Sequence, residues 1–209
     1  FGGNSILTRG QCYTCLVPRL VVPQLVLASQ SPRRRELLAN AGFDFEVRVR
    51  PVEEVRTPGE DPIRYARRLA QSKAESVWNG GDEIALGADT IVVLGERVLE
   101  KPVDAADAVS MLRALAGREH TVITGICLRH AGGTIVDHAS TQVRFSGMTE
   151  AEIGAYVASG EPMDKAGGYG IQGAIARFVR RIEGSYSGIM GLPLYETARL
   201  LRASGRGER

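Results

Sequence analysis

The run Leu25-Val26-Leu27-Ala28 passes through Ser29-Gln30 straight into Ser31-Pro32-Arg33-Arg34-Arg35-Glu36-Leu37-Leu38, and this join constrains the chain more than any other stretch. Consecutive apolar residues read as a buried strand. Ser31 suits an N-cap, and Pro32 suits the first helical position, where its missing N–H costs nothing. A strand must therefore turn directly into a helix. The arginines in that first turn have the wrong sign for a helix N-terminus, which carries partial positive charge. An anion held among backbone N–H groups, the Ser29 and Ser31 hydroxyls and the Arg33 and Arg34 guanidinium groups would reconcile them. A solvated basic face is the plainer reading of the same run.

Further along, the pattern predicts a helix over 32–41 closed by Gly42, a strand over 43–49 and a helix over 62–79. It then predicts a long strand over 84–94, turned by Gly95-Glu96-Arg97 into a short return at Val98-Leu99, and a helix from Asp104 to Gly117. Strands over 119–129 and 134–145 follow, then a helix from Thr149 to Ala158 with the capping pattern Thr149-x-x-Glu152. A glycine-rich stretch over 160–173, a strand over 178–182, a glycine-rich loop over 184–191 and a helix from Pro193 to Arg202 complete it. Interleaved helices, strands and hairpins predict an α/β fold: a mixed twisted sheet flanked by helices, with two lobes around a cleft. The expected organisation is an N-terminal extension over 1–23, one catalytic domain over 24–203 and a frayed tail over 204–209. That extension is expected to be disordered, an added remnant, an upstream extension or a poor targeting peptide, and it shows no charged region followed by a compact apolar one and a small-residue cleavage site.

Composition narrows the function classes. The 26 Lys and Arg against 24 Asp and Glu leave a net charge of only +2, which argues against nucleic acid as a partner and makes any anion site local. No apolar stretch approaches the roughly 20 residues that span a bilayer. Three cysteines (Cys12, Cys15 and Cys127) make no disulfide framework, so a reducing, cytoplasmic setting is expected. Cys12-x-x-Cys15 lacks a second ligand pair, and His120, His130 and His138 lack metal-ligand spacing. Oligomeric state is not written in the sequence, although exposed apolar residues on the last helix could support a homodimer.

Asp89 interrupts the apolar run Ile84–Leu94, where an unpaired carboxylate is costly to bury. A metal or cation opposite it would explain the acid, and so would a bend at Ala88-Asp89-Thr90. Lys101, beside Pro102, is placed to project back towards Asp89, and Lys73 lies among alanines on the preceding helix. Glu54, of the pair Glu53-Glu54, could join Asp89 in holding a divalent cation on phosphates, a task needing one or two carboxylates. In the stretch from Gly160 to Gly173, Lys165 could hold a phosphate and the Gln172 amide could read a base edge. The stretch matches neither a Walker A loop nor a dinucleotide-binding G-x-G-x-x-G.

Taken in order, Ser29-x-Ser31-Pro32-Arg33-Arg34, Gly87-Ala88-Asp89-Thr90, Glu100-Lys101-Pro102, Asp164-Lys165-Ala166-Gly167-x-Tyr169-Gly170-Ile171-Gln172-Gly173 and Gly184-Ser185-Tyr186…Gly191-Leu192-Pro193 closely resemble the Maf family of nucleoside triphosphate pyrophosphatases, across residues 25–203. The form of the glycine-rich motif resembles the subgroup acting on dTTP and UTP. The resemblance implies a fold related to inosine triphosphatases, and hydrolysis of a nucleoside triphosphate to monophosphate and pyrophosphate with Mg²⁺ or Mn²⁺. It implies Asp89 as proton acceptor, directly or through the metal. It also implies Ser29, Arg33, Lys73 and Lys101 around the phosphates, Glu54 as an acidic site residue and Gln172 in substrate choice. Modified pyrimidine nucleotides are an alternative substrate class. A nucleotide-binding regulator that inhibits septum formation is an alternative role. Ser187-Gly188 departs from members that carry asparagine after the Ser-Tyr pair, which bears on fine specificity.

Overall fold

Leu25–Leu27 forms a fully buried strand, β1, as an unbroken apolar run requires. In this computed structural model residues 24–204 are described; the expectations for 1–23, with Cys12 and Cys15, and for 205–209 lie outside them. Pro32–Asn40 (α1) leads to Phe45–Val47 (β2), and Pro62–Val77 (α2) leads to Ile84–Leu94 (β3). β1 pairs in parallel with both β2 and β3. After β3 the pairing becomes antiparallel. Arg97–Leu99 (β4) folds back on β3, Ala105–Leu115 (α3) follows, and Glu119–His130 (β5) and Gly133–Phe145 (β6) form a long hairpin. Glu150–Ala158 (α4) carries the expected capping box, with Thr149 and Glu152 bonded reciprocally. Val179–Glu183 (β7), Tyr186–Ile189 (α5) and Leu194–Ala203 (α6) complete a seven-stranded sheet of order β2-β1-β3-β5-β6-β7, with β4 on β3. The expected mixed sheet flanked by helices is the observed fold.

The alternation of β3 explains the layers. Ile84, Leu86 and Ala88 face α1 and α6, packing with Leu38, Leu200 and Leu201. Val92, two turns of the pleat further on, packs with Leu112, Leu115, Phe145 and Ile153 under α3 and α4. The long strands thus serve two apolar clusters at their two ends, and these are the lobes. Ala85 and Ile91 point to the opposite surface, which α2 covers. That helix lies unusually close. A Cβ on Gly87 would stand 2.1 Å from the Ala70 carbonyl oxygen, and one on Gly125 would stand 2.3 Å from that of Ala66. Glycine at both positions lets the backbone of α2 rest directly on β3 and β5, fixing its depth and register.

Two expectations change. The loop predicted over 184–191 contains α5, whose first turn is capped by Ser185 accepting from Gly188 N–H. The final helix spends its apolar side chains on the core: Leu200 and Leu201 are buried, and Tyr195 is its one strongly exposed large apolar residue. The apolar surface on which a homodimer was expected is therefore mostly interior. Among the described residues no helix is long and apolar enough to cross a membrane.

Candidate functional site

The sheet has a break in one edge, and the cleft lies there. β5 pairs with β3 from Ala85 to Val93, so β1 and β4 must share the other edge of β3. β1 covers Ile84–Leu86 and β4 covers Val92–Leu94. Between them the edge at Asp89 and Thr90 is left open, facing the C-terminal end of β1, the usual place for a ligand in a sheet of this kind. No bend is present: β3 runs unbroken through Asp89. The resulting cleft of about 500 Å³ is lined by Ser29, Ser31, Arg33, Arg34, Glu54, Lys73, Asp89, Lys101, Lys165 and Gln172. All the residues expected from the sequence meet there.

Asp89 is 7% exposed and faces α2. Lys73 on that helix donates to Asp89 Oδ1 at 2.6 Å and lies 2.7 Å from Glu54 Oε1, so one ammonium sits between two carboxylates. Their titrations move apart. Burial raises the Asp89 carboxyl above its ordinary range, against the pull of Lys73 and Arg34. Burial also opposes ionisation of Glu54, but the bond from Lys73, with Lys101 and Arg34 behind it, outweighs that and holds it below its ordinary range. A reluctant anion beside a willing one is the arrangement of an acid–base site. Glu53 does not line this cleft and faces a shallow groove with Arg68.

The arginines at the start of α1 divide their tasks. Arg34 is drawn inwards, donating to Gly191 O at 2.7 Å, Ser29 Oγ at 3.1 Å and Thr90 Oγ1 at 3.2 Å. Thr90 and Thr124 share a hydrogen bond of 2.9 Å, and Thr124 donates on to Gly188 O. Arg34 thus braces α1, β3 and α5 against one another while keeping its charge in the cleft wall. Arg33 reaches across the mouth to Asp164 Oδ2 at 3.0 Å, and Arg35 is exposed and lines no part of the cleft. Ser31 occupies the N-cap position, but its hydroxyl makes no capping bond, so the start of α1 presents both its hydroxyl and its N–H groups to the cleft.

The glycine-rich wall is built of short 3₁₀ turns over Glu161–Asp164, Ala166–Gly168 and Ala174–Phe178. Its glycines make room for protein side chains: a Cβ on Gly173 would stand 1.8 Å from Glu161 Oε1. Tyr156 OH donates to that oxygen at 2.9 Å, which anchors the wall to α4. Lys165 is bonded to Glu161 O and to Asp164 Oδ1, each at 2.6 Å. Asp164 therefore clasps two of the expected phosphate ligands, Arg33 and Lys165, a link the sequence spacing does not reveal. Gln172 is exposed at the rim. Below it Tyr169 OH meets His120 Nε2 at 2.7 Å, and burial pushes the imidazole down to about 4, which keeps it neutral at ordinary pH.

The sequence alone gives Thr90 and Asp164 no role. Their adjacency to Asp89 and Lys165 is the one signal it offers. Ser187, the departure from the family pattern, accepts from Leu194 N–H at 3.0 Å and so caps α6, whose N-cap position holds Pro193 with no side-chain bond of its own. For a divalent cation, the donor set is two carboxylates whose oxygens already converge on one cationic group. Hard oxygen donors in that number suit Mg²⁺ or Mn²⁺ shared with phosphate oxygens. Among the described residues there is no cluster of three or more His, Cys, Asp or Glu that would cage a metal without them.

The sequence profile described as "Maf-like protein" matches residues 24–204. The chain is 51% identical over 184 residues to a protein of Vibrio cholerae named dTTP/UTP pyrophosphatase, covering 87% of this chain and 98% of that one. Proteins of the same name from Anaeromyxobacter dehalogenans and Shewanella oneidensis are 51% and 50% identical, over 88% and 87% of this chain and 96% and 98% of theirs.

Proposed function

This chain belongs to the Maf-like protein family, and from that premise we propose that it is a nucleoside triphosphate pyrophosphatase acting on dTTP and UTP, and on modified pyrimidine nucleotides of similar shape. The observation that carries the reading is the buried Asp89 carboxylate in a wall that also holds Arg33, Arg34, Lys73, Lys101 and Lys165. An acid with its proton affinity raised, set beside cations that can receive a polyphosphate, fits hydrolysis of a phosphoanhydride.

In the proposed reaction, water attacks the α-phosphorus and pyrophosphate leaves. The N–H groups at the start of α1, the Ser29 and Ser31 hydroxyls, and Arg33, Lys101 and Lys165 hold the phosphate oxygens and neutralise the charge that grows on them. Lys73 holds Asp89 by Oδ1, leaving Oδ2 to accept the proton of the attacking water. A divalent cation held by Glu54 and Asp89 together with phosphate oxygens would add charge neutralisation and orientation. Gln172 offers a donor and an acceptor to the pyrimidine edge.

The test is pyrophosphate release from dTTP, UTP, CTP, GTP and 7-methyl-GTP with Mg²⁺ or Mn²⁺. Turnover concentrated on dTTP and UTP, with monophosphate as co-product, is expected. Binding without turnover on the whole panel would return the regulatory reading.

The clasp at the cleft mouth makes a separate prediction. Asp164 occupies Arg33 and Lys165, so a triphosphate must displace it. Asp164 is 60% exposed, and exposed ion pairs contribute about 0–1 kcal/mol each. Asp164→Asn is accordingly expected to lower KM for the nucleotide and the inhibition constant of pyrophosphate a few-fold. Steady-state kinetics with added pyrophosphate measure both, and a rise in both constants would assign Asp164 to holding the wall rather than to competing for the cations.

A further inference from the structure

Tyr65, on α2, is buried at 1% exposure, yet its hydroxyl touches two segments of the cleft wall. It donates to Glu100 Oε1 at 2.6 Å and stands 3.1 Å from the carbonyl oxygen of Glu54. The phenol has one proton, and the shorter distance and the negative charge give most of it to the carboxylate. Both contacts are next to site residues. Glu54 carries the carboxylate that meets Lys73, and Glu100 directly precedes Lys101. The Glu100 carbonyl also accepts from Gly167 N–H at 2.9 Å, so the same anchor reaches the turns that carry Lys165.

Tyr65 and Lys73 lie on one helix whose register is fixed by the backbone contacts at Gly87 and Gly125. A helix that cannot slide, bearing both the cation between the carboxylates and the hydroxyl that holds the flanking segments, works as a ruler for the site. We propose that Tyr65 is a positioning residue. Through its hydroxyl, it sets the Glu54 segment and the Glu100-Lys101 segment at the correct distance from Lys73 and Asp89. Nothing in its place requires contact with substrate. Its consequence for turnover rests on the pyrophosphatase reading above; its consequence for the segments does not.

The experiment compares the full chain with Tyr65→Phe, which keeps the buried ring, and with Glu100→Ala, which removes the other partner from the exposed side. Amide hydrogen exchange of the ligand-free proteins is measured alongside kinetics on UTP and dTTP. Tyr65→Phe is expected to exchange about ten-fold faster at the amides of residues 53–57 and 100–101, and Glu100→Ala at 100–101 alone because there the phenol proton still reaches the Glu54 carbonyl, with α2 and β3 unchanged in both. They are expected to lose about ten-fold in kcat with KM changed less than about two-fold, because misplacing catalytic groups slows the chemical step. The double variant should be little worse than Tyr65→Phe alone, which has already lost the bond to Glu100. Faster exchange spread evenly over the domain, or local loosening with kcat intact, would overturn the proposal and leave Tyr65 a core residue. A wild-type chain that turns over no nucleotide would sink the pyrophosphatase reading, and the exchange pattern alone would then decide for or against Tyr65.

Discussion

Asp89→Asn is expected to lower kcat by about 10²–10⁴, the range attributed to a positioned general base, while KM for the nucleotide stays level or falls. Asparagine has nearly the same shape and can still accept from Lys73 through its amide oxygen. What it lacks is the charge and the capacity to take a proton. Removing a negative charge from a cleft that receives a polyanion favours binding of the bare nucleotide, so a rise in KM that added Mg²⁺ or Mn²⁺ reverses would report loss of a cation ligand, and one that it does not reverse would point to misfolding of the site. The pH dependence carries a second part of the prediction. Burial raises the folded-state pKa of Asp89 above the ordinary aspartate value. As pH falls through that raised value the base of the free protein is protonated, so the acid limb of kcat/KM is displaced upwards from that of an ordinary aspartate. The residual rate of the variant should lack that limb. The sign for stability follows from the same shift. A raised pKa means that the ionised form disfavours folding at neutral pH, so the variant should melt no lower than the parent on that account. An Asp89→Asn protein with normal turnover would end the assignment.

The other large effect belongs to the scaffold. Gly87→Ala puts a methyl group 2.1 Å from Ala70 O and 2.7 Å from Ala74 N, both backbone atoms of α2 that cannot swing aside. Overpacking of a core typically costs about 1–3 kcal/mol, and forcing a whole helix off its sheet belongs at or above the top of that range. In a domain of this size each kcal/mol moves Tm by about 2–4 °C, so a fall of about 10 °C or loss of soluble protein is expected. Gly154→Ala supplies the opposite sign. Gly154 is exposed in the middle of α4 and nothing stands within 4 Å of an added Cβ, so alanine there should add about 1 kcal/mol. Thermal melts of the two variants side by side test the difference, and equal effects would refute the helix-on-backbone contact.

Much of this architecture is legible along the chain because its signals are local. The strand over 84–94, the capping box at Thr149 and the proline-started helices depend on neighbours within a few residues, and each appears where the pattern puts it. Asp89 is legible for a related reason: a charged group inside an apolar strand needs a partner, whatever the fold. The illegible parts depend on residues far apart in sequence. Arg33 and Arg34 are adjacent and chemically equal, yet one braces the interior and the other meets Asp164, 131 residues away. The glycines at 170 and 173 look like a loop shaped for a ligand, but they admit the side chains of Lys165 and Glu161. The closeness of α2 is encoded by Gly87 and Gly125, which in sequence are only small residues in strands. Apolar spacing on α6 reads equally as core or as interface, and the sheet takes it as core.

The clasp formed by Asp164 on Arg33 and Lys165 has a consequence for which anions the cleft retains. A carboxylate tethered beside its partners acts at an effective concentration on the order of millimolar. A single phosphate group, meeting those cations one at a time, faces that competitor continuously and gains little by replacing it. A triphosphate engages the start of α1 and several cations in one event, so displacing Asp164 is one exchange among many contacts. The cleft mouth thereby behaves as a filter that sorts anions by how many charges they bring at once.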